Sequence, residues 1–213
     1  MNTVAVIDFE TTGMSPEMGD RATEVAVVLV ENGKIVDRYQ SLMNTGAYIP
    51  AFIEELTGIS NAMIRKAPPA DEVMSELAEF VGDVPLVAHN ASFDSKFLDA
   101  EWSKIGHSRQ QQFACSMLLA RRIYPAAPNH KLGTLISHLG LPSAARHHRA
   151  LADAEMTAHL WVRMVSDLKS KHGLNVVPHE FLRALQKVPK GKISEFVRKI
   201  SHAETRSARR KAD

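Results

Sequence analysis

Cysteine is nearly missing from this chain: Cys115 is the single one in 213 residues. One thiol excludes an internal disulfide framework and a cysteine-ligated zinc site, and it fits a reducing compartment such as the cytoplasm. Long apolar runs are missing too. No stretch approaches the ~18 apolar residues of a membrane-spanning helix. The N-terminus carries no basic segment ahead of an apolar stretch, so no signal peptide is expected. There is no internal repeat and no low-complexity segment. What remains, 45 % hydrophobic and 23 % charged residues, is the make-up of a soluble globular protein with enough apolar material for a full core.

The net charge of +2 conceals an asymmetry. Residues 1–168 hold 14 Lys/Arg against 20 Asp/Glu, and residues 169–213 hold 12 against 4. A mildly acidic body with a basic tail suggests a polyanionic partner recruited by the tail. A solvated tail that aids solubility accounts for the same counts.

The first stretch of note is Val4-Ala5-Val6-Ile7-Asp8-Phe9-Glu10-Thr11-Thr12-Gly13. Its apolar, largely β-branched start reads as a buried central strand. Thr23–Val30 and Ile35–Met43 read as two further strands, joined by a hairpin turn at Glu31-Asn32-Gly33-Lys34. Two short helices are expected over Ala51–Ile64 with a break at Gly58. Another is expected over Asp71–Val81, with Asp71 near its N-terminus. Pro85–Ala88 and Phe113–Cys115 are short strands. Ser92 and Ser116 are candidate N-caps for the helices that follow them. Leu132–Leu139 and the long segment from Ala150 to Leu168 complete the helices. Three strands in an antiparallel meander, then helices alternating with two more strands, describe an α/β mixed sheet of five strands. After Gly173 the character changes. Two amphipathic helices are expected around Pro189–Lys192, and the last dozen residues are expected to be disordered or a solvated helix. The expected division is a domain over 1–172 and a basic extension over 173–213.

Side chains of a strand alternate between faces, so Asp8 and Glu10 share one. Paired acids at the end of a buried strand call for a hard divalent cation bound through oxygen. By itself, a D-x-E tripeptide also describes a strand ending in solvated acids. Asp94, after the fourth strand, and Asp153, in the first turn of the longest helix, are placed to project to the same sheet end. Taken singly, each is more often an ordinary first-turn acid that complements a helix dipole. His148, five residues before Asp153, would sit about 140° away from it on a continuous helix. It must therefore lie in the preceding loop to approach the same site, where an imidazole can serve as a base near neutral pH.

The three segments D-F-E-T-T-G, H-N-A-S-F-D and H-R-A-L-A-D-A, in this order, resemble the motifs of the DEDDh family of 3′–5′ exonucleases. This is the DnaQ-like group that contains the proofreading epsilon subunit of DNA polymerase III, exonuclease X and ribonuclease T. Glu55-Leu56-Thr57-Gly58-Ile59-Ser60 and Leu132-Gly133-Thr134-Leu135 resemble segments between the motifs, and the likeness spans roughly residues 3–168. Arg149 stands where a tyrosine-type relative would carry its tyrosine, which marks the histidine subtype. Cys115-Ser116 departs from the Asp-Thr of many relatives, outside the catalytic set.

The resemblance implies a ribonuclease H-like sheet, two divalent cations (Mg²⁺ or Mn²⁺) and stepwise release of nucleoside 5′-monophosphates from 3′ ends. Asp8, Glu10, Asp94 and Asp153 match the metal-site acids and His148 the general base. Thr11, Thr12, Asn90 and Phe93 occupy positions implied to meet the terminal nucleotide. DNA is the expected substrate, in replication or repair, with RNA 3′-end trimming as the alternative, because the catalytic motifs do not report on the 2′-hydroxyl. A polymerase-docking subunit using residues 175–213 is an alternative of another class. Gln186-Lys187-Val188-Pro189 lacks the apolar end of a sliding-clamp peptide.

Overall fold

The computed structural model describes residues 3–143 and 148–198. The expectation for the last dozen residues lies outside this range. Five strands form one mixed sheet in the order β3-β2-β1-β4-β5. β1 (Thr3–Thr11), β2 (Ala22–Glu31) and β3 (Lys34–Leu42) are an antiparallel meander. β4 (Leu86–Ala88) joins β1 in parallel, and β5 (Phe113–Cys115) joins β4 in parallel. The hairpin between β2 and β3 turns on Asn32 (φ 51°) and Gly33 (φ 81°). Two left-handed residues in succession match the twist of the flanking strands.

The sheet separates two apolar layers, and the alternation of β1 decides what faces each. Val4 and Val6 enter the layer beneath α7 (Ala150–His172). Ala5, Ile7 and Phe9 enter the opposite layer, beneath α3 (Ala70–Val81) and α4 (Ser92–Lys104). Asp8 and Glu10 continue the Val4–Val6 face, so they emerge on the side of α7. α7 lies on β1 and β2 through Ala150, Ala154 and Ala158, all fully buried and four residues apart. Small residues on that helical stripe let the helix sit low on the sheet and bring its first turn near the strand end.

The helices α1 (Ala51–Thr57) and α2 (Asn61–Ile64) part at Gly58 (φ 71°). With Ile49, Ile53, Ile59 and Ile64 they form a small apolar cluster against Leu42. α5 (Ser116–Ile123) and α6 (Leu132–Leu139) pack on α7.

The serine caps are corrected. Ser92 is already the first residue of α4, following Ala91 in helical geometry. Ser116 likewise opens α5 and makes no cap. Its hydroxyl turns sideways to Ala88 O (3.3 Å) and to His89 Nδ1 (2.9 Å). Before Ser92 the turn after β4 already brings Ala91 into helical dihedrals, whereas Cys115 is still extended and β5 passes directly into α5 at Ser116.

The longest helix runs past Leu168 to His172 and stops at Gly173 (φ 64°). Beyond it, α8 (His179–Leu185) and a helical stretch over 193–198 follow. Leu174, Phe181, Leu182, Leu185 and Val197 are buried in the same layer as α7. α8 also lies along β5, where Gln186 Oε1 accepts a hydrogen bond from the Cys115 amide (2.7 Å).

Candidate active site

The end of β1 is shaped by close approaches that its sequence permits. After Glu10, Thr11 Oγ1 donates to Gly13 O (2.6 Å), and Thr12 Oγ1 accepts from the Arg21 amide (3.0 Å). Gly13 has no side chain because the Asp20 carboxylate occupies the space a Cβ would fill. That carboxylate accepts from the Ser15 amide (2.9 Å) and folds the loop over. Both threonines are buried.

Asp94 reaches the strand end from the other side. Asn90 takes a left-handed conformation (φ 76°) after β4, and its carbonyl accepts from the Phe93 amide (2.9 Å). This turn starts α4 with Asp94 in its first turn, 2 % exposed, where Oδ1 accepts from the Phe9 amide (3.3 Å). Phe93 packs on Phe97, ring centres 5.0 Å apart, and Asn90 is exposed.

The third approach comes from α7. His148 lies in the loop before the helix, as its spacing from Asp153 requires. Its φ is 60°, and its backbone amide donates to Asp153 Oδ2 (2.9 Å). Side-chain ligand atoms of Glu10, His148 and Asp153 lie within 4.8 Å of one another. The structure thus gathers Asp8, Glu10, Asp94, Asp153 and His148 at one end of the sheet. Thr11 and Thr12 follow Glu10 with their hydroxyls turned into the loop, and Asn90 and Phe93 stand on the turn that leads to Asp94.

The electrostatics follow from that crowding. Burial, then the charges of Asp94, Asp153, Glu10 and Glu24, holds the Asp8 carboxyl well above the ordinary range. Burial, then Asp153 and Glu24, pushes Glu10 up to about 8, against a downward pull from Arg149. Burial pushes Asp94 up to about 7, although the Phe9 amide pulls the other way. Carboxylates that hold protons this tightly would gain from a divalent cation for the same reason. The donors are hard oxygens with one imidazole at the rim, a set suited to Mg²⁺ or Mn²⁺ rather than to a thiophilic metal. The residues present therefore fit such a cation.

Two arginines frame the site, and residue-by-residue reading of the motifs did not single out their partners. Glu24 stands beside Glu10 in the β1–β2 register and is fully buried. It takes the guanidinium of Arg149 through Nη2 (2.7 Å) and Nε (3.1 Å), and also accepts from the Ala150 amide (3.0 Å). Glu101 on α4, 2 % exposed, takes Arg21 through Nε and Nη2 (2.8 Å each) and accepts from the Ala22 amide (3.3 Å). The signal for Glu24 was an acid inside the otherwise apolar β2 run, which demands a buried partner.

A central strand ending in paired acids, with two more acids arriving on helices from either side of a ribonuclease H-like sheet, is an arrangement suited to holding divalent cations. A family model described as Exonuclease (RNase T) matches residues 5–161, and the chain belongs to that exonuclease family. The PolC-type DNA polymerase III of Bacillus cereus is 41 % identical over 170 residues, covering 79 % of this chain and 12 % of the polymerase. The 3′–5′ exonuclease DinG of Bacillus subtilis is 35 % identical over 198 residues, covering 90 % of this chain and 20 % of that protein. The chain thus corresponds to a small part of these curated relatives. Among solved structures, exonuclease X in complex with 5′-overhanging duplex DNA superposes with a TM-score of 0.64 at 28 % identity, covering 81 % of this chain and 94 % of that one. The nuclease domain of 3′hExo, a DEDDh family member bound to rAMP, gives a TM-score of 0.67 at 22 % identity and covers 78 % of this chain and 92 % of that one, a likeness of fold.

Proposed function

We propose that this chain removes nucleotides one at a time from DNA 3′ ends and releases nucleoside 5′-monophosphates. The observation that carries the reading is the convergence of Glu10, Asp153 and His148 within 4.8 Å, next to Asp8 and the buried Asp94. DNA is favoured over RNA because the 41 % identical relative is a DNA polymerase and the 28 % identical structure holds duplex DNA. The same relative supports work alongside DNA synthesis, in proofreading or repair, with residues 175–213 as the segment through which a polymerase would be met.

Asp8, Glu10, Asp94 and Asp153 would hold two divalent cations, Mg²⁺ or Mn²⁺. When bound, such ions neutralise phosphate charge and acidify water. Asp8 is central, since it feels the charge of each of the other three acids. His148 sits at the rim, where its imidazole can accept the proton of the attacking water as that oxygen bonds to phosphorus. The bond from phosphorus to the 3′-oxygen then breaks, that oxygen takes a proton from solvent water, and the shortened strand leaves with a 3′-hydroxyl. Thr11 and Thr12 shape the floor for the terminal nucleotide through their backbone. Phe93 and Asn90 flank it on the Asp94 side.

The test is a panel of single-stranded DNA, mismatched duplex DNA and RNA, each with free and blocked 3′ ends, with Mg²⁺ and with Mn²⁺. Nucleoside monophosphate release from free DNA ends is expected. Release from blocked ends, or a clear preference for RNA, would overturn the reading. In the same assay His148→Ala should lose about 10²- to 10⁴-fold in turnover while keeping the metal-induced rise in Tm. Asp8→Ala should lose both.

A further inference from the structure

Glu24 spends its buried carboxylate on the first residues of α7. It accepts from Nε and Nη2 of the Arg149 guanidinium, from the Ala150 amide and from Gln40 Nε2 (2.7 Å). Immediately before Arg149 stands His148 at φ 60°. That left-handed conformation is unfavourable for a residue with a Cβ, and it persists only where the surroundings hold it. Here the chain is tied on both sides of the strained residue. The His148 amide is bound to Asp153, and the next two residues are bound to Glu24 on β2. Because β2 pairs Glu24 with Glu10, the same tie fixes where the imidazole stands relative to the β1 acids.

We propose that the Glu24–Arg149 pair is a positioning clamp that holds His148 in its working conformation. The proposal rests on the reading of His148 as the proton acceptor in 3′-end hydrolysis. Arg149 and Glu24 are positioning residues. The Nε and Nη2 edge of the guanidinium is turned to Glu24, and the planar fork explains why arginine stands here, since a lysine ammonium cannot bridge both carboxylate oxygens and fix a direction. The tie spans 125 residues of sequence and joins the strand beside the acids to the helix that brings Asp153.

Steady-state turnover of single-stranded DNA at saturating Mg²⁺ tests it. Arg149→Met is expected to lower kcat by nearly as much as His148→Ala does, about 10²- to 10⁴-fold, with KM changed by less than about threefold. Arg149→Lys should resemble Arg149→Met. Adding His148→Ala to Arg149→Met should cost less than about threefold more, because both remove one contribution. The His148 amide should exchange with deuterium faster in Arg149→Met, while the β1 amides stay unchanged. Since an unpaired buried Glu24 can unsettle the fold, the double variant Glu24→Met with Arg149→Met fills the space with apolar groups. It should keep the wild-type Tm and still turn over as slowly as Arg149→Met. Full kcat in Arg149→Met, multiplied losses with His148→Ala, recovered turnover in the double methionine variant, or unchanged exchange at His148 would each overturn the clamp. A wild-type chain that releases no nucleotide would overturn the functional reading instead, and the exchange measurement would still decide the clamp.

Discussion

Asp8, Glu10 and Asp94 each hold a proton more tightly in the folded chain than in an unfolded one. A raised carboxyl pKa contributes stability that is complete below the unfolded value and disappears as pH rises through the folded value. For Glu10 and Asp94 the folded values lie at about 8 and about 7. His89, pushed down to about 4 by burial, acts oppositely, and its contribution is complete above its ordinary 6.5. Between pH 6.5 and 8 the acids therefore govern the trend. With EDTA, Tm should fall as pH rises through that window. With Mg²⁺ it should stay level, so that the metal-induced rise grows with pH. A flat EDTA curve across the window would count against the carboxylate cluster. At this scale the sequence was informative about Asp8, Glu10, Asp94, Asp153 and His148, because alternation in a strand and angular offset on a helix are local rules. Glu24 was not legible as a partner of Arg149, since only the fold brings together residues 125 apart.

Elements are tied to one another at the start of β2, where Ala22 and Glu24 mark two crossings. Arg21 and Ala22 bind Glu101 of α4, and Glu24 binds Arg149 and Ala150 at the head of α7. Arg21 also donates to Thr45 O (3.2 Å), which draws in the chain after β3. Arg21→Met would leave Glu101 buried and unpaired. Removing one partner of a buried pair costs about 3–5 kcal/mol, and the partial exposure of Arg21 favours the lower end. At ~2–4 °C per kcal/mol for a chain of this size, Tm should drop by roughly 6 °C or more in differential scanning calorimetry. A loss below about 1 °C would mean that the pair is no more than a surface salt bridge. The strands, the broken α1–α2 pair and the long helix were readable from periodicity and from turn residues such as Asn32-Gly33 and Gly58. The serine caps failed as expectations because the side chains of Ser92 and Ser116 answer to neighbouring strands and turns. No local pattern reports that competition.

For the whole molecule, the sheet places its chemistry at one end and commits both faces to packing. No helix among the described residues is long and apolar enough to cross a membrane. The residues after Gly173 share the α7 layer, with Leu182 and Leu185 fully buried. Cutting at residue 175 would therefore remove core as well as basic charge. A cut after residue 198 separates the two, since it removes Lys199, Arg206, Arg209, Arg210 and Lys211 together with Glu204 and Asp213. That truncated chain should keep its Tm within about 2 °C. If the tail tracks a nucleic-acid backbone, the slope of log affinity against log salt should flatten by roughly 0.7 per lost phosphate contact on single strands. An unchanged slope would assign the tail to a protein partner or to solubility.

The contact between Gln186 and the Cys115 amide has a consequence for aggregation. β5 is the outer strand of its side of the sheet, and an outer strand offers free backbone donors to any passing chain. The side-chain amide of Gln186 stops one of these donors as a sixth strand would. At the opposite margin, β3 carries Lys34, Asp37 and Arg38, charges that discourage a second sheet from docking. One border is thus defended by charge and the other by a borrowed side chain. A chain shortened before α8 should accordingly be lost from solution through edge-to-edge association as well as through its weakened core.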